Sequence, residues 1–431
     1  MELAKSSADS LRESDLMPIE VKRVLTRLES ATPHLRFAPW NATRLAPGAE
    51  RSEATWSDES RRTVNVQVIL PSLRLSTTCE RDQDAVSLDD RHILGHLASE
   101  TERVLRTAGS GMVSLIDYGT RAVAAELQTR ADLQFNPLPV LQFIRSLSHE
   151  TYESRSLSYG IILSRSLDGR APFHEALDNK RIKRITDGIS TALVIDREGK
   201  VVELAPLHSP QHESLAARRR PWSSAGLAEA AKAREGVGVA LTHQGDMVIV
   251  DRGRLVFSQR AGVWRAWNHP AILARLKSLW NFPGPSGQLS TVLSHFYQLA
   301  MDLAFDRTGG LLIVLGSRSR LDDTLASRAD RIDSASRSGP ERTLDRSLLR
   351  RSVQKTDRRI ANDLASLDGA LIVDRSGRIM AYGAMVKLGS TAKQGARTRA
   401  ALGASLSGIA IMISADGNIG FYRGGELHFE I

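Results

Sequence analysis

Residues 367–388 read LDGALIVDRSGRIMAYGAMVKL. An apolar run, ALIV, stops at Asp374; Gly377 follows three residues later, and a second apolar run begins at Ile379. Two β-rich runs joined by an Asp-x-x-Gly turn are a hairpin signature. Working outward, GGLLIVLG at 309–316 predicts a buried strand before the hairpin, and SGIAIMISADGNIGFYRGGELHF at 407–429 predicts three strands after it. Between hairpin and closing strands lies GARTRAALGASL, residues 395–406, a short arginine-bearing stretch with a helical run behind it.

The same order occurs once before. ALVIDREGKVV at 192–202 lies against ALIVDRSGRIM at 370–380, and QGDMVIVDRGRLVF at 244–257 against DGNIGFYRGGELHF at 416–429, which aligns Gly245 with Gly417 and Leu255 with Leu427. A helix, a strand, a variable helical linker, a hairpin, a helical or arginine-bearing segment and further strands make up each copy. That pattern predicts a duplicated α/β fold, each copy a mixed central sheet flanked by helices. The expected divisions are 1–135, an N-terminal α/β region of unassigned role; 136–268, the first copy; and 269–431, the second.

In the N-terminal region IEVKRVLTRLES (19–30) reads as an amphipathic helix, TVNVQVILPSLRL (63–75) as β-structure ending near Pro71, and SLDDRHILGHLASETERVLRTAG (87–109) as a helix. GMVSLIDYG, residues 111–119, reads as a short buried strand. His92 and His96 sit at zinc-ligand spacing, yet no third ligand accompanies them, so they read as a structural pair. Cys79, the single cysteine, excludes an internal disulfide and reads as inert; with no signal-like apolar segment at the start and no run of eighteen apolar residues, a cytoplasmic location and no membrane contact are expected.

The net charge is +9 in 431 residues, but the arginines are scattered among Asp and Glu and aromatic residues make up only 5%. Few stacking platforms and no helix-turn-helix, zinc-finger or RNA-motif pattern argue against nucleic acid as a partner. Small phosphorylated ligands would use the same arginines. Two local motifs fit such a ligand. Asp368-Gly369-Ala370 puts a carboxylate beside a glycine at a strand entrance, suited to Mg²⁺ and to close backbone approach. Gly395, Arg397, Thr398 and Arg399 stand where a helix would begin, suited to phosphate.

Taken together, the order of Gly-Gly strand, Asp-Gly-Ala hairpin, Gly-x-Arg-x-Arg and closing hairpin resembles the diadenylate cyclase (DAC) domain family over about residues 290–431. The family's hallmarks are Asp-Gly-Ala and Gly-Thr-Arg-His-Arg. Asp368-Gly369-Ala370 matches the first; Gly395, Arg397 and Arg399 match the second, with Ala396 in place of its Thr and Thr398 in place of its His. The resemblance implies tandem DAC-like domains, the first degenerate: Ser190-Thr191 stands where Asp368-Gly369 does, Asp187-Gly188 lies out of register, and Arg218-Arg219-Arg220 takes the place of the Arg-x-Arg loop. It further implies condensation of two ATP into cyclic di-AMP with release of pyrophosphate. Asp368 would act as the catalytic residue and ligand of Mg²⁺ or Mn²⁺, and Gly369, Ala370, Gly395, Arg397, Thr398 and Arg399 would bind nucleotide. Two sites must face each other, by homo-oligomerisation or by intramolecular pairing of the tandem domains. The alternative is a catalytically inactive nucleotide sensor in a signalling or defence system.

Overall fold

A computed structural model describes residues 25, 29, 31–32, 35–44, 52–57, 62–69, 73–80, 88–107, 116–152, 155–166, 168–177, 179–208, 219–280, 287–334, 338–349, 352–389 and 395–431. The stretch 19–30 lies largely outside these residues. The protein is mixed α/β, and its described residues fall into two compact units: 25–208 with 226–268, and 219–225 with 269–431.

The first unit holds two main sheets. The antiparallel N-terminal sheet is built on the Thr63–Ile69 and Leu73–Glu80 pair, so the run read around Pro71 resolves into two strands of one hairpin. The helix Leu88–Thr107 matches its periodicity. The stretch read as a strand at 111–119 is corrected: Ile116 opens the helix Ile116–Arg130. Ala122, Val123 and Leu127 bury one face of that helix. Gly119 lets the Trp264 ring come close, within 2.8 Å of where a Cβ would stand, while Trp264 Nε1 donates to Thr120 Oγ1 at 3.1 Å. A helix face with one missing side chain and a strand ended by glycine look alike over nine residues.

The larger sheet of the first unit runs Val263–Ala266, Arg254–Arg260, Met247–Asp251, Val237–Leu241, Tyr159–Leu163, Thr191–Ile195, Lys200–Pro206, Ala171–Pro172. The sheet of the second unit runs Ile379–Ala384, Ala370–Val373, Gly310–Leu315, Gly408–Ile413, Ile419–Arg423, Glu426–Glu430. Six strands follow one path in both. Each path holds a single parallel pair, Tyr159–Leu163 with Thr191–Ile195 and Gly310–Leu315 with Ala370–Val373, and the remaining neighbours are antiparallel.

The hairpin turn is built identically too. Asp196 Oδ1 accepts from the Glu198 and Lys200 N–H groups, and Asp374 Oδ1 from those of Ser376 and Arg378. Gly199 and Gly377 take φ of +84° and +83°, a left-handed region open to glycine at little cost. Each Asp is buried and occupied by its own turn, so neither is available to a ligand. The copies differ at their last shared strand: Arg254–Arg260 is covered by Val263–Ala266, leaving Leu255 buried, whereas Leu427 on Glu426–Glu430 is 47% exposed.

Candidate functional site

Strand direction decides what meets in the second unit. Gly310–Leu315 and Ala370–Val373 run parallel with Leu312 beside Leu371, and Gly408–Ile413 runs antiparallel with Ile413 beside Gly310. Two strand entrances and one strand exit therefore share an end of the sheet. Asp368-Gly369, the Arg307–Gly309 connection and the Ser414–Asn418 turn all lie there. Helix Ala396–Ser405 packs on the same sheet and contributes Ala396, Arg397 and Ala400 to a cleft of about 300 Å³.

Asp368, Gly369 and Arg397 line that one cleft. Asp368 is exposed and its carboxylate makes no hydrogen bond or ion pair among the described residues. Gly369 has φ of +115°, and a Cβ there would stand 2.5 Å from the Gly383 carbonyl carbon and 2.7 Å from the Ala384 nitrogen. Only glycine fits both that conformation and that approach. Ala370 is buried directly behind it. Gly395 is the exposed N-cap residue of the helix, with no side chain to cap the first N–H groups; it does not itself line the cleft, and the positive end of the helix favours an anion.

Thr398 and Arg399 are half-buried and do not line the cleft. Both arginines lie within the helix, and residues two apart on a helix differ by about 200° around its axis. Arg397 and Arg399 therefore diverge and do not act as one fork. The Arg399 carbonyl accepts from the Gly389 N–H at 2.8 Å, tying the helix to the chain that leaves the hairpin.

Sequence reading missed the apolar wall. Leu311, Val386 and Ala400 form it, with Met385 (52% exposed) and Leu388 (50% exposed) at the mouth. The available signal was the run Met385-Val386-Lys387-Leu388, apolar beyond the last paired residue of its strand. A cleft with one carboxylate, one guanidinium, open helix N–H groups and apolar walls can hold an anionic ligand that carries a flat or apolar group.

Among the described residues no three His, Cys, Asp or Glu side chains cluster as a metal site. Asp368 alone fits a Mg²⁺-type ion that takes one protein carboxylate and fills its shell with phosphate and water oxygens.

The first unit offers no such arrangement among its described residues. Asp187 Oδ1 accepts from the N–H groups of Ile189, Ser190 and Thr191 at 2.9, 2.7 and 3.0 Å. Although burial opposes ionisation, those bonds hold its carboxyl below the usual range. It is a turn residue. The arginine loop expected in that copy is also corrected. Residue 218 lies outside the described residues, and Arg220 is wholly buried in the second unit, where its carbonyl accepts from Gln298 and Arg358. The rest of that segment is helical, Ala225–Ala233, as its alanine content favours. His96 Nε2 stands 3.4 Å from Glu126 Oε2 on the adjacent helix, and burial lowers the His96 pKa against the upward pull of that carboxylate.

No family model matches the sequence, and no curated protein matches it. Among solved structures, a double-cysteine variant of DacA from Staphylococcus aureus is similar at 17% identity and a TM-score of 0.22, over 33% of this chain and 87% of that one. A hypothetical membrane spanning protein from Bacillus cereus is similar at 17% identity and 0.25, over 33% and 68%. Likeness at this level assigns no activity. No described helix of the protein is long and apolar enough to cross a membrane.

Proposed function

We propose that the second unit binds ATP in this cleft and condenses two ATP into cyclic di-AMP. The observation that supports it is the convergence of Asp368, Gly369 and Arg397, from motifs some thirty residues apart in sequence, on one cleft with an apolar wall. Each 3′-hydroxyl attacks the α-phosphorus of the other nucleotide; one phosphodiester bond forms per attack, one bond to pyrophosphate breaks, and the hydroxyl proton passes to solvent. Arg397 and the open N–H groups of helix Ala396–Ser405 hold the phosphates, and the apolar wall excludes water from the nucleotide. Asp368 would hold Mg²⁺ or Mn²⁺, which supplies charge neutralisation at the phosphates. Positioning and charge neutralisation are the greater part of such transfers. Asp187 is committed to its own turn, so the second nucleotide is best supplied by the same cleft of a second chain, related by two-fold symmetry.

A second reading has its own support. Thr398 stands where the family keeps a histidine, which favours a nucleotide sensor that binds without turnover. The experiment is to incubate the purified protein with ATP and Mn²⁺ or Mg²⁺ and assay cyclic di-AMP. Product that is lost in Asp368→Asn supports the cyclase. Binding without product, weakened by Arg397→Ala, supports the sensor. Absence of nucleotide binding by calorimetry overturns both.

A further inference from the structure

Helix Gly287–Asp306 ends in a tight connection to strand Gly310–Leu315. Arg307 and Gly309 both take left-handed φ, +57° and +68°. The Thr308 N–H donates to the Leu303 carbonyl at 3.2 Å, and the Arg307 guanidinium donates to the Asp416 carbonyl, which ties the connection to the Ser414–Asn418 turn. These contacts fix the chain entering Gly309, and the pairing of Gly310 with Ile413 fixes the chain leaving it.

Gly309 lies beside Arg397, the basic side chain of the cleft. A Cβ built on Gly309 would stand 2.7 Å from Arg397 Nη1, 3.4 Å from Arg397 Cζ and 3.3 Å from the Ile413 carbonyl oxygen. The first distance is too short for a carbon beside a nitrogen, so a side chain at 309 would push the exposed Arg397 head group out of this position. Arg397 is exposed and makes no hydrogen bond or ion pair among the described residues, and its head group lies beside the bare backbone of Gly309.

We propose that Gly309 is a positioning residue: by lacking a side chain it forms the seat that holds the Arg397 guanidinium at the phosphate end of the cleft. This rests on the reading of the cleft as a nucleotide site. An arginine has several rotatable bonds, and a flat, immobile seat removes the need to order it on binding. A simpler role exists for such a glycine, the left-handed residue that ends a helix. Asparagine also tolerates that conformation, but it brings a Cβ, and so it separates the two roles.

The test measures binding of 3′-deoxy-ATP with Mn²⁺, a probe that cannot react, to the full chain. Gly309→Asn and Gly309→Ala are each expected to weaken binding by about tenfold or more, the scale of one hydrogen bond to a charged group. Arg397→Ala should show a similar loss, and adding Gly309→Asn to it should cost nothing further. Gly424→Ala, at φ of +64° with open space around the added carbon, carries the backbone strain without the contact and should bind normally. Wild-type binding by Gly309→Asn, or a loss that adds to that of Arg397→Ala, overturns the seat while leaving the cleft intact. Undiminished binding by Arg397→Ala overturns the nucleotide site itself.

Discussion

The carboxylate of Asp302 takes both arms of the Arg358 guanidinium, Nη2 to Oδ1 at 2.7 Å and Nε to Oδ2 at 2.8 Å, with the two side chains 0% and 4% exposed. The same carboxylate accepts from the Trp222 N–H and from Asn362 Nδ2, each at 3.0 Å. The Arg358 and Arg359 guanidinium groups each lie 5.2 Å from the Trp222 ring. This cluster fixes residues 219–225 within the second unit. Arg358→Met leaves a buried carboxylate without its counter-ion, and breaking a buried pair on one side typically costs about 3–5 kcal/mol. A urea midpoint that does not fall would refute the cluster's structural role.

Two carboxylates six residues apart should respond in opposite ways. Asp374 is buried, which resists ionisation, but hydrogen bonds from Ser376, Arg318 and the Arg378 N–H hold its carboxyl below the usual range. Arg318 Nε approaches at 2.6 Å. Asp374→Ala is expected to destabilise by about 1–3 kcal/mol, since it strips partners from buried donors. The stabilisation Asp374 gives is present above the ordinary carboxylate pKa of about 3.9 and is lost as pH falls through the lower folded value. Asp368→Asn should leave thermal stability within about 0.5 kcal/mol while weakening metal-dependent nucleotide binding. Equal melting shifts in the two variants would reject this division of labour.

The hairpins were legible because their signals are local: Asp196 with Gly199 and Asp374 with Gly377 encode the turn, and the apolar runs before them encode the buried strands Thr191–Ile195 and Ala370–Val373. Asp368, Gly369 and Arg397 share one cleft because each lies at the entrance of an element that begins at one end of the sheet. An Arg-x-Arg spacing resembles one fork until both residues are placed on a helix, where Arg397 and Arg399 leave in different directions. Arg220 had no readable signal. Its partners, Gln298 and Arg358, are 78 and 138 residues away, and a bond over that separation leaves no local trace in the chain. Gly309 reads in sequence only as the start of the strand run GGLLIVLG; its closeness to Arg397 exists only once the sheet has brought position 309 beside the helix that starts at 396.

The first unit should carry a pH dependence centred on His96. Burial lowers its pKa, against the upward pull of Glu126; His92 adds to the lowering and Glu100 opposes it. A histidine whose folded value is depressed prefers to be neutral in the native state. Unfolding therefore takes up a proton below the ordinary value of about 6.5, and the stability present above it is lost as pH falls from there toward the folded value. Urea midpoints at pH 7.5 and 5.5 should show this loss in the wild type and a smaller one in His96→Gln. The same decrease in both proteins would place the dependence elsewhere.

Cys79 sits in strand Leu73–Glu80 opposite Val64 and is fully buried. Burial, reinforced by the charge of Asp90, pushes its thiol up to about 12. At pH 8 the thiolate fraction is then on the order of one in ten thousand, and the thiolate is the reactive form. A disulfide reagent should leave the native protein unmodified and react fully once urea unfolds the first unit. The modification rate just below the transition should track the population of opened molecules. Native labelling at the speed of a free thiol would mean that the sheet around Cys79 opens independently of the unit's core.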